Sequence, residues 1–430
     1  MNETTPSSLV ALSAREAAAR VAANTLAAEA VAAAFAERIA AREPVVQAWA
    51  HFDRDRALAE ALAAPAGPLA GVTFGVKDVI DTVDMPTGYG SSVYAGYRPA
   101  WDAPIVALTR RLGGVVLGKT VSTEFAMSSP GKTRNPHNPD HTPGGSSSGS
   151  CAAVAAGMAH VAFGTQTAGS IVRPASYCGV VGYKPSFGTL NRAGMKPLSD
   201  SLDHLGLITR DVRDAAFAVA ALAERSALAQ GAITGPLRVG LFRTSRWASA
   251  EPATRAALDR TVAAIEAAGG TVRELPVPDV FEQLYALFDA VMGWETPHTL
   301  AYERRALGER ISPITLGFLD TLAKATRDQY DAALAVLKRR DAIVEELLDG
   351  CDVLITPAAP GEAPAGLGGT GDPVFNKPWT LLHVPALTVP AGVGPNGLPV
   401  GVQVIGRIGE DAYTLAAAAS IEDALKARPS

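Results

Sequence analysis

Short apolar runs alternating with helix-length amphipathic segments constrain this chain more than any other feature. Leu69–Val76, Val115–Leu117, Pro236–Phe242, Asp352–Pro357, Ala386–Pro390 and Val400–Ile405 each read as a strand. Between them Ala103–Leu112, 213–226, Glu251–Ala268 and Asp328–Leu348 carry helical patterns. Alternation on this scale predicts an α/β layer architecture around a central sheet. Gly394-Pro395-Asn396-Gly397 is a turn signal between the last two strands, and Ala359–Asp372, rich in glycine and proline, reads as a long loop. Residues 8–62 place Val31, Phe35 and Ile39 at helical spacing, which predicts helices with a break near Pro44.

Within this frame the stretch Pro143–Gly182 stands out. Pro143-Gly144-Gly145-Ser146-Ser147-Ser148-Gly149-Ser150 and Gly164-Thr165-Gln166-Thr167-Ala168-Gly169-Ser170-Ile171-Val172-Arg173-Pro174 flank one compact alanine-rich segment. Glycine admits close backbone approach and positive φ, and serine adds hydroxyls without bulk, so the pair of loops suggests a site rather than a linker. Upstream, Lys77 ends an apolar strand. An ammonium there is costly to bury, so the side chain snorkels, pairs with a neighbouring acid, or is held neutral.

Three familiar patterns match by letter and fail on context. Gly113-Gly114-Val115-Val116-Leu117-Gly118-Lys119-Thr120 satisfies the phosphate-loop expression, yet Val-Val-Leu prefers an extended strand to a cradle of N–H groups. Gly145-Ser146-Ser147-Ser148-Gly149 fits a nucleophile elbow, with Asp352 and His383 following in order. The elbow needs a strand before its serine, and the prolines at 136, 139 and 143 exclude one. His137 and His141 have helical metal-ligand spacing, but the same prolines make the segment a loop, so no metal is expected.

Composition removes further classes. A formal charge of -5 and pI near 5.9 give no electrostatic case for nucleic acid or an anionic membrane. Ala152–Phe163, the most apolar run, is too short to span a bilayer, and Met1-Asn2-Glu3-Thr4-Thr5-Pro6 lacks the basic and apolar regions of a signal peptide. Cys151, Cys178 and Cys351 are an odd number, which fits a reducing, cytoplasmic setting.

Taken together, Lys77, Ser146 and Ser170 resemble the amidase signature family of serine hydrolases. The resemblance runs from Pro68 to Arg210 and returns over Asn376–Arg407. Its markers are Gly75-Val76-Lys77-Asp78, the Gly-Gly-Ser-Ser loop, Gly164–Ser170, Cys178-Gly179-Val180-Val181-Gly182-Tyr183-Lys184-Pro185 and Gly397-Leu398-Pro399-Val400-Gly401-Val402-Gln403-Val404-Ile405-Gly406. It implies an α/β amidase-signature fold, a central mixed β-sheet with helices on both faces. The implied layout is a single domain over 1–430, with N-terminal helices (8–62) packed on a signature core (65–225). A helical insert and the sheet-completing strands follow (226–430).

By the same resemblance Ser170 is the nucleophile, Ser146 a bridging serine preceded by a cis peptide bond, and Lys77 the base acting through Ser146. A serine hydroxyl needs such a base within reach, and a desolvated lysine can serve. The N–H groups of Thr167, Ala168, Gly169 and Ser170 would form the oxyanion hole, and Arg173, Gln166, Gly144 and Gly145 would contact substrate.

Two departures from the family pattern bear on the substrate. Gln166 stands where an aspartate is common, and Arg173 lies three residues beyond the nucleophile instead of two. Both look like the malonamidases, so the expected reaction is hydrolysis of a small amide such as malonamate through a Ser170 acyl-enzyme. Arg173 then either holds the substrate carboxylate or forms a structural salt bridge. The alternatives within the family are allophanate- or carboxybiuret-type hydrolysis and the glutamine-cleaving component of an amidotransferase. A non-catalytic scaffold or nucleotide binder lies outside it. The expected partner is the small amide, with no cofactor and with a homodimer allowed.

Overall fold

The computed structural model describes residues 5–427, so most of the N-terminal hexapeptide weighed against a signal peptide lies outside the described residues. Its strands are β1 (Trp49–Phe52), β2 (Thr73–Lys77), β3 (Val115–Thr120), β4 (Val161–Gln166), β5 (Val181–Lys184) and β6 (His204–Thr209), followed by β7 (Arg238–Leu241), β8 (Thr271–Glu274), β9 (Val353–Pro357), β10 (Ala386–Val393) and β11 (Pro399–Ile405). They form one 11-stranded sheet in the order β1-β3-β2-β4-β6-β5-β10-β11-β9-β7-β8. The sheet is mixed: β3, β2 and β4 run parallel, whereas β4–β6–β5–β10–β11–β9 pair antiparallel. Helices cover both faces, the α/β architecture expected from the alternating pattern.

The continuous apolar runs have a simple cause. In β3, Val115 and Leu117 pack with Val31, Phe35 and Ile39 of the Ala28–Val46 helix, while Val116 faces the opposite core with Phe74, Val76 and Phe163. A strand buried on both faces loses its polar alternation. Because Val115–Thr120 is strand, Lys119 is no phosphate-loop lysine. Its buried Nζ donates to Ile80 O and Thr87 Oγ1 and stands 3.4 Å from Asp78.

Two local expectations shift, and one strand is unexpected. The break near Pro44 comes later, since the helix runs on to Val46 and only then turns at Gln47 (φ 53°). The Glu43 carboxylate fixes that exit by accepting from the N–H groups of Ala48 and Trp49. The helical reading of 8–62 is interrupted by β1, whose four residues pair with β3 at the sheet edge. The strand β8 carries almost no burial, so its residues show no apolar signal. Among the described residues no helix is long and apolar enough to cross a membrane.

Candidate active site

Lys77 is the last residue of β2, between two parallel neighbours, and its side chain is fully buried. The Nζ donates to Ser146 Oγ at 2.7 Å, Thr165 Oγ1 at 2.7 Å and Thr165 O at 3.3 Å. No carboxylate pairs with it among the described residues; the adjacent acid, Asp78, is taken by Lys119. Burial without a counter-charge pulls its pKa down to about 7, with Cys151 and Asp203 opposing weakly. Of the three sequence alternatives the structure therefore leaves desolvation.

Ser146 is brought to Lys77 by a loop whose Gly144 has φ +80° and whose Gly145–Ser146 peptide is cis. The neighbouring hydroxyls look elsewhere. Ser147 Oγ exchanges hydrogen bonds with the Thr165 backbone, Ser148 Oγ donates to Val121 O, and Ser150 Oγ donates to Phe163 O. In this serine-rich run only Ser146 touches the lysine. The N–H of Ser147 donates to Ser170 O at 3.3 Å, which sets the two loops side by side. The Ser146 and Ser170 hydroxyls are not joined by a hydrogen bond among the described residues.

Ser170 lies between β4 and the Val172–Cys178 helix, buried but open to a large cleft. Its loop is held from three sides. Gln166 Oε1 accepts from the N–H groups of Ile171 and Val172, and Gln166 Nε2 donates to Thr380 Oγ1, which donates on to Ala168 O. Thr167 Oγ1 donates to Asp203 Oδ1 at 2.6 Å. Gly169 backs onto Asn376, where an added Cβ would stand 2.4 Å from Oδ1. The N–H groups of Thr167, Ala168, Gly169 and Ser170 donate to no protein acceptor among the described residues, so they are available to a ligand oxygen.

Several expected contacts are reassigned by this geometry. Gln166, expected to touch substrate, spends its amide inside the loop and does not line the cleft. Gly144 and Gly145 likewise shape the serine loop: Gly144 packs on Pro174 and Tyr177, and the Gly145 carbonyl accepts from Arg173 Nη2 at 2.7 Å. Arg173 does line the cleft, buried beside Ser170. It forms no salt bridge among the described residues; Nη1 donates to Gly371 O at 2.7 Å and Nη2 also reaches Thr370 Oγ1. Burial pushes its pKa down, against Tyr177 and Asp372.

The cleft has a volume of about 930 Å³. One wall is the Ser170 loop and the 370–373 segment; the other comes from the Asp279–Thr299, Pro313–Leu322 and Arg327–Leu337 helices. These helices and Asp203 carry no site signal in the sequence, because nothing in their local pattern distinguishes a cleft wall from a core face.

Other sequence motifs stay apart from the site. His137 and His141 bind the carbonyls of Cys178 and Ala363. Asp352 pairs with Arg238, and His383 bonds Ser201 O while stacking on Phe187, so no Ser-His-Asp triad forms. No group of three or more His, Cys, Asp or Glu side chains among the described residues is arranged to hold a metal.

Comparison with known proteins decides the family: the model described as Amidase matches residues 30–415. The chain belongs to the Amidase family. Among curated relatives of this amidase is a glutamyl-tRNA(Gln) amidotransferase component from Lachnospira eligens. It is 32% identical, covering 93% of this chain and 95% of its own. A solved structure described as an amidase is 30% identical with a TM-score of 0.86, covering 96% of this chain and 98% of its own. The structure of 6-aminohexanoate cyclic dimer hydrolase complexed with substrate is 27% identical with a TM-score of 0.84, covering 98% of each. The family and these neighbours make the chain an amide C–N hydrolase; the malonamidase detail finds no counterpart among them.

Proposed function

We propose that this amidase cleaves its substrate through an acyl-enzyme on Ser170, with Ser146 as proton relay and Lys77 as base. The observation that carries the reading is the contact of an acid-free, buried Lys77 Nζ with Ser146 Oγ. In the first step Ser170 Oγ attacks the amide carbonyl carbon. Its proton passes to Ser146 Oγ as the Ser146 proton passes to neutral Lys77. The carbonyl oxygen, now anionic, is received by the N–H groups of residues 167–170. Collapse breaks the C–N bond, the departing nitrogen takes the proton back through the same relay, and water then releases the acid by the reverse route. Three buried, unpaired cysteines support a reducing, cytoplasmic setting.

Ser170→Ala tests the reading directly. The variant is expected to lose both ammonia release and acyl transfer to hydroxylamine, and wild-type rates for either would sink the assignment.

The likeness to an amidotransferase component supports a second reading, in which the same acyl-enzyme chemistry liberates ammonia from glutamine for a partner protein. Under that reading the isolated chain hydrolyses glutamine in preference to other amides. The malonamate reading is weakened because both Arg173 Nη atoms already serve loop carbonyls.

A further inference from the structure

The cleft in front of Ser170 is far larger than a two- or three-carbon amide requires. At about 930 Å³ it lies near the top of the roughly 300–1,000 Å³ range of pockets that enclose drug-sized ligands. Its sheltered walls are apolar. Leu287, Ala290, Phe318 and Leu322 on the helical side are half-buried, and Met127 and Leu198 on the signature side are buried. The charged side chains of the lining are placed differently. Asp289, Lys324 and Asp372 are at least partly exposed, Lys377 is paired with Asp289 at 3.1 Å, and Arg173 is engaged by carbonyls. A small polar amide would leave these walls hydrated. An apolar body would displace that water while its amide reached Ser170.

Resting on the Ser170 acyl-enzyme reading, we propose that this cleft selects amides bearing an uncharged aryl or alkyl body, and that Ala290 is a specificity-determining position. Ala290 projects from the Asp279–Thr299 helix into the cleft with a side chain of one methyl group, so it sets the room left for that body.

The test is a primary-amide series from acetamide through hexanamide to 4-phenylbutyramide, with ammonia release as the readout and glutamine as comparator. The expected kcat/KM climbs by roughly fourfold per buried methylene until the cleft is filled. In Ala290→Trp the ratio of kcat/KM for 4-phenylbutyramide to that for acetamide should fall at least tenfold. If that variant does not give a cooperative melt, Phe318→Ala should lower the same ratio. A flat series, an equal loss for both amides, or a preference for glutamine overturns the inference. Calorimetric binding of 4-phenylbutyramide and acetamide to Ser170→Ala separates it from the mechanism. Tighter binding of the aryl amide upholds the apolar cleft even if wild type fails to hydrolyse either, and equal binding overturns it even if hydrolysis proceeds.

Discussion

Thr167 donates its hydroxyl to Asp203 across 2.6 Å, and this bond fastens the loop that presents Ser170 to the segment entering β6. The other carboxylate oxygen accepts from the N–H groups of Leu198 and Ser199, so one buried acid ties the Ser170 loop to a strip of the cleft wall. Replacing it with asparagine keeps the size but turns an NH2 group towards one set of these donors. Since misplacing a reacting group by about 1 Å can cost ~10²-fold, Asp203→Asn should lower kcat by about tenfold to 10²-fold with little change in KM. A variant altered only in melting temperature would reduce Asp203 to a structural role.

The same residue gives a stability signature. Burial raises the Asp203 pKa to about 6, against hydrogen bonds from Leu198, Thr167 and Ser199. The folded carboxyl therefore holds its proton more tightly than the unfolded one, whose value is near 3.9. Its contribution is favourable in acid and is lost as pH rises through that window towards and past 6. Denaturant melts between pH 4 and 7 should show a smaller decline in stability for Asp203→Asn than for wild type; matching slopes would refute the assignment.

Lys77 titrates in the opposite sense. Its folded pKa of about 7 lies below the unfolded value, so its stability contribution grows as pH rises from 7 towards about 10.5. As the proposed base it must be neutral, so kcat/KM should increase about tenfold per pH unit below 7 and level off above it. Lys77→Ala should remove that ionisation and cost on the order of 10²–10⁴ in rate. A wild-type profile flat from pH 5 to 8 would exclude the lysine as base.

Much of the site is legible in the sequence because its chemistry is local. Gly144, Gly145, Ser146 and Gly164–Ser170 are short segments whose small residues suit backbone turns and N–H groups left without a protein acceptor, and such needs leave a mark in sequence. Lys77 is legible as an oddity in an apolar run. The far wall is not. Leu287, Ala290 and Phe318 sit on ordinary amphipathic helices, and only the tertiary arrangement decides which face meets the cleft instead of the core. Gln166 misleads for a related reason: an amide that caps Ile171 and Val172 has the same letter as one that faces a ligand.

Gly169 offers a steric test of the proposed oxyanion loop. A methyl group there would stand 2.4 Å from Asn376 Oδ1, closer than any tolerable contact. Overpacking of this kind costs typically about 1–3 kcal/mol, and here it would displace N–H groups beside Ser170. Gly169→Ala should therefore lower both melting temperature and kcat, and shortening the obstacle with Asn376→Ala should recover part of both. No recovery in the double variant would show that the loop fails for another reason.

Arg173 distinguishes clamp from receptor. Its guanidinium bridges the Gly145 carbonyl, next to Ser146, and the Gly371 carbonyl, on the 370–373 wall of the cleft. Hydrogen bonds from a charged donor contribute about 1.5–3 kcal/mol each, so Arg173→Ala should lower the melting temperature appreciably. Because the clamp shapes the site before any substrate arrives, kcat/KM should fall by the same factor for hexanamide and for malonamate. Arg173→Lys should restore little, since an ammonium lacks the planar fork that spans two carbonyls. A loss confined to malonamate, with hexanamide and the melting temperature untouched, would instead make Arg173 the anchor of a substrate carboxylate.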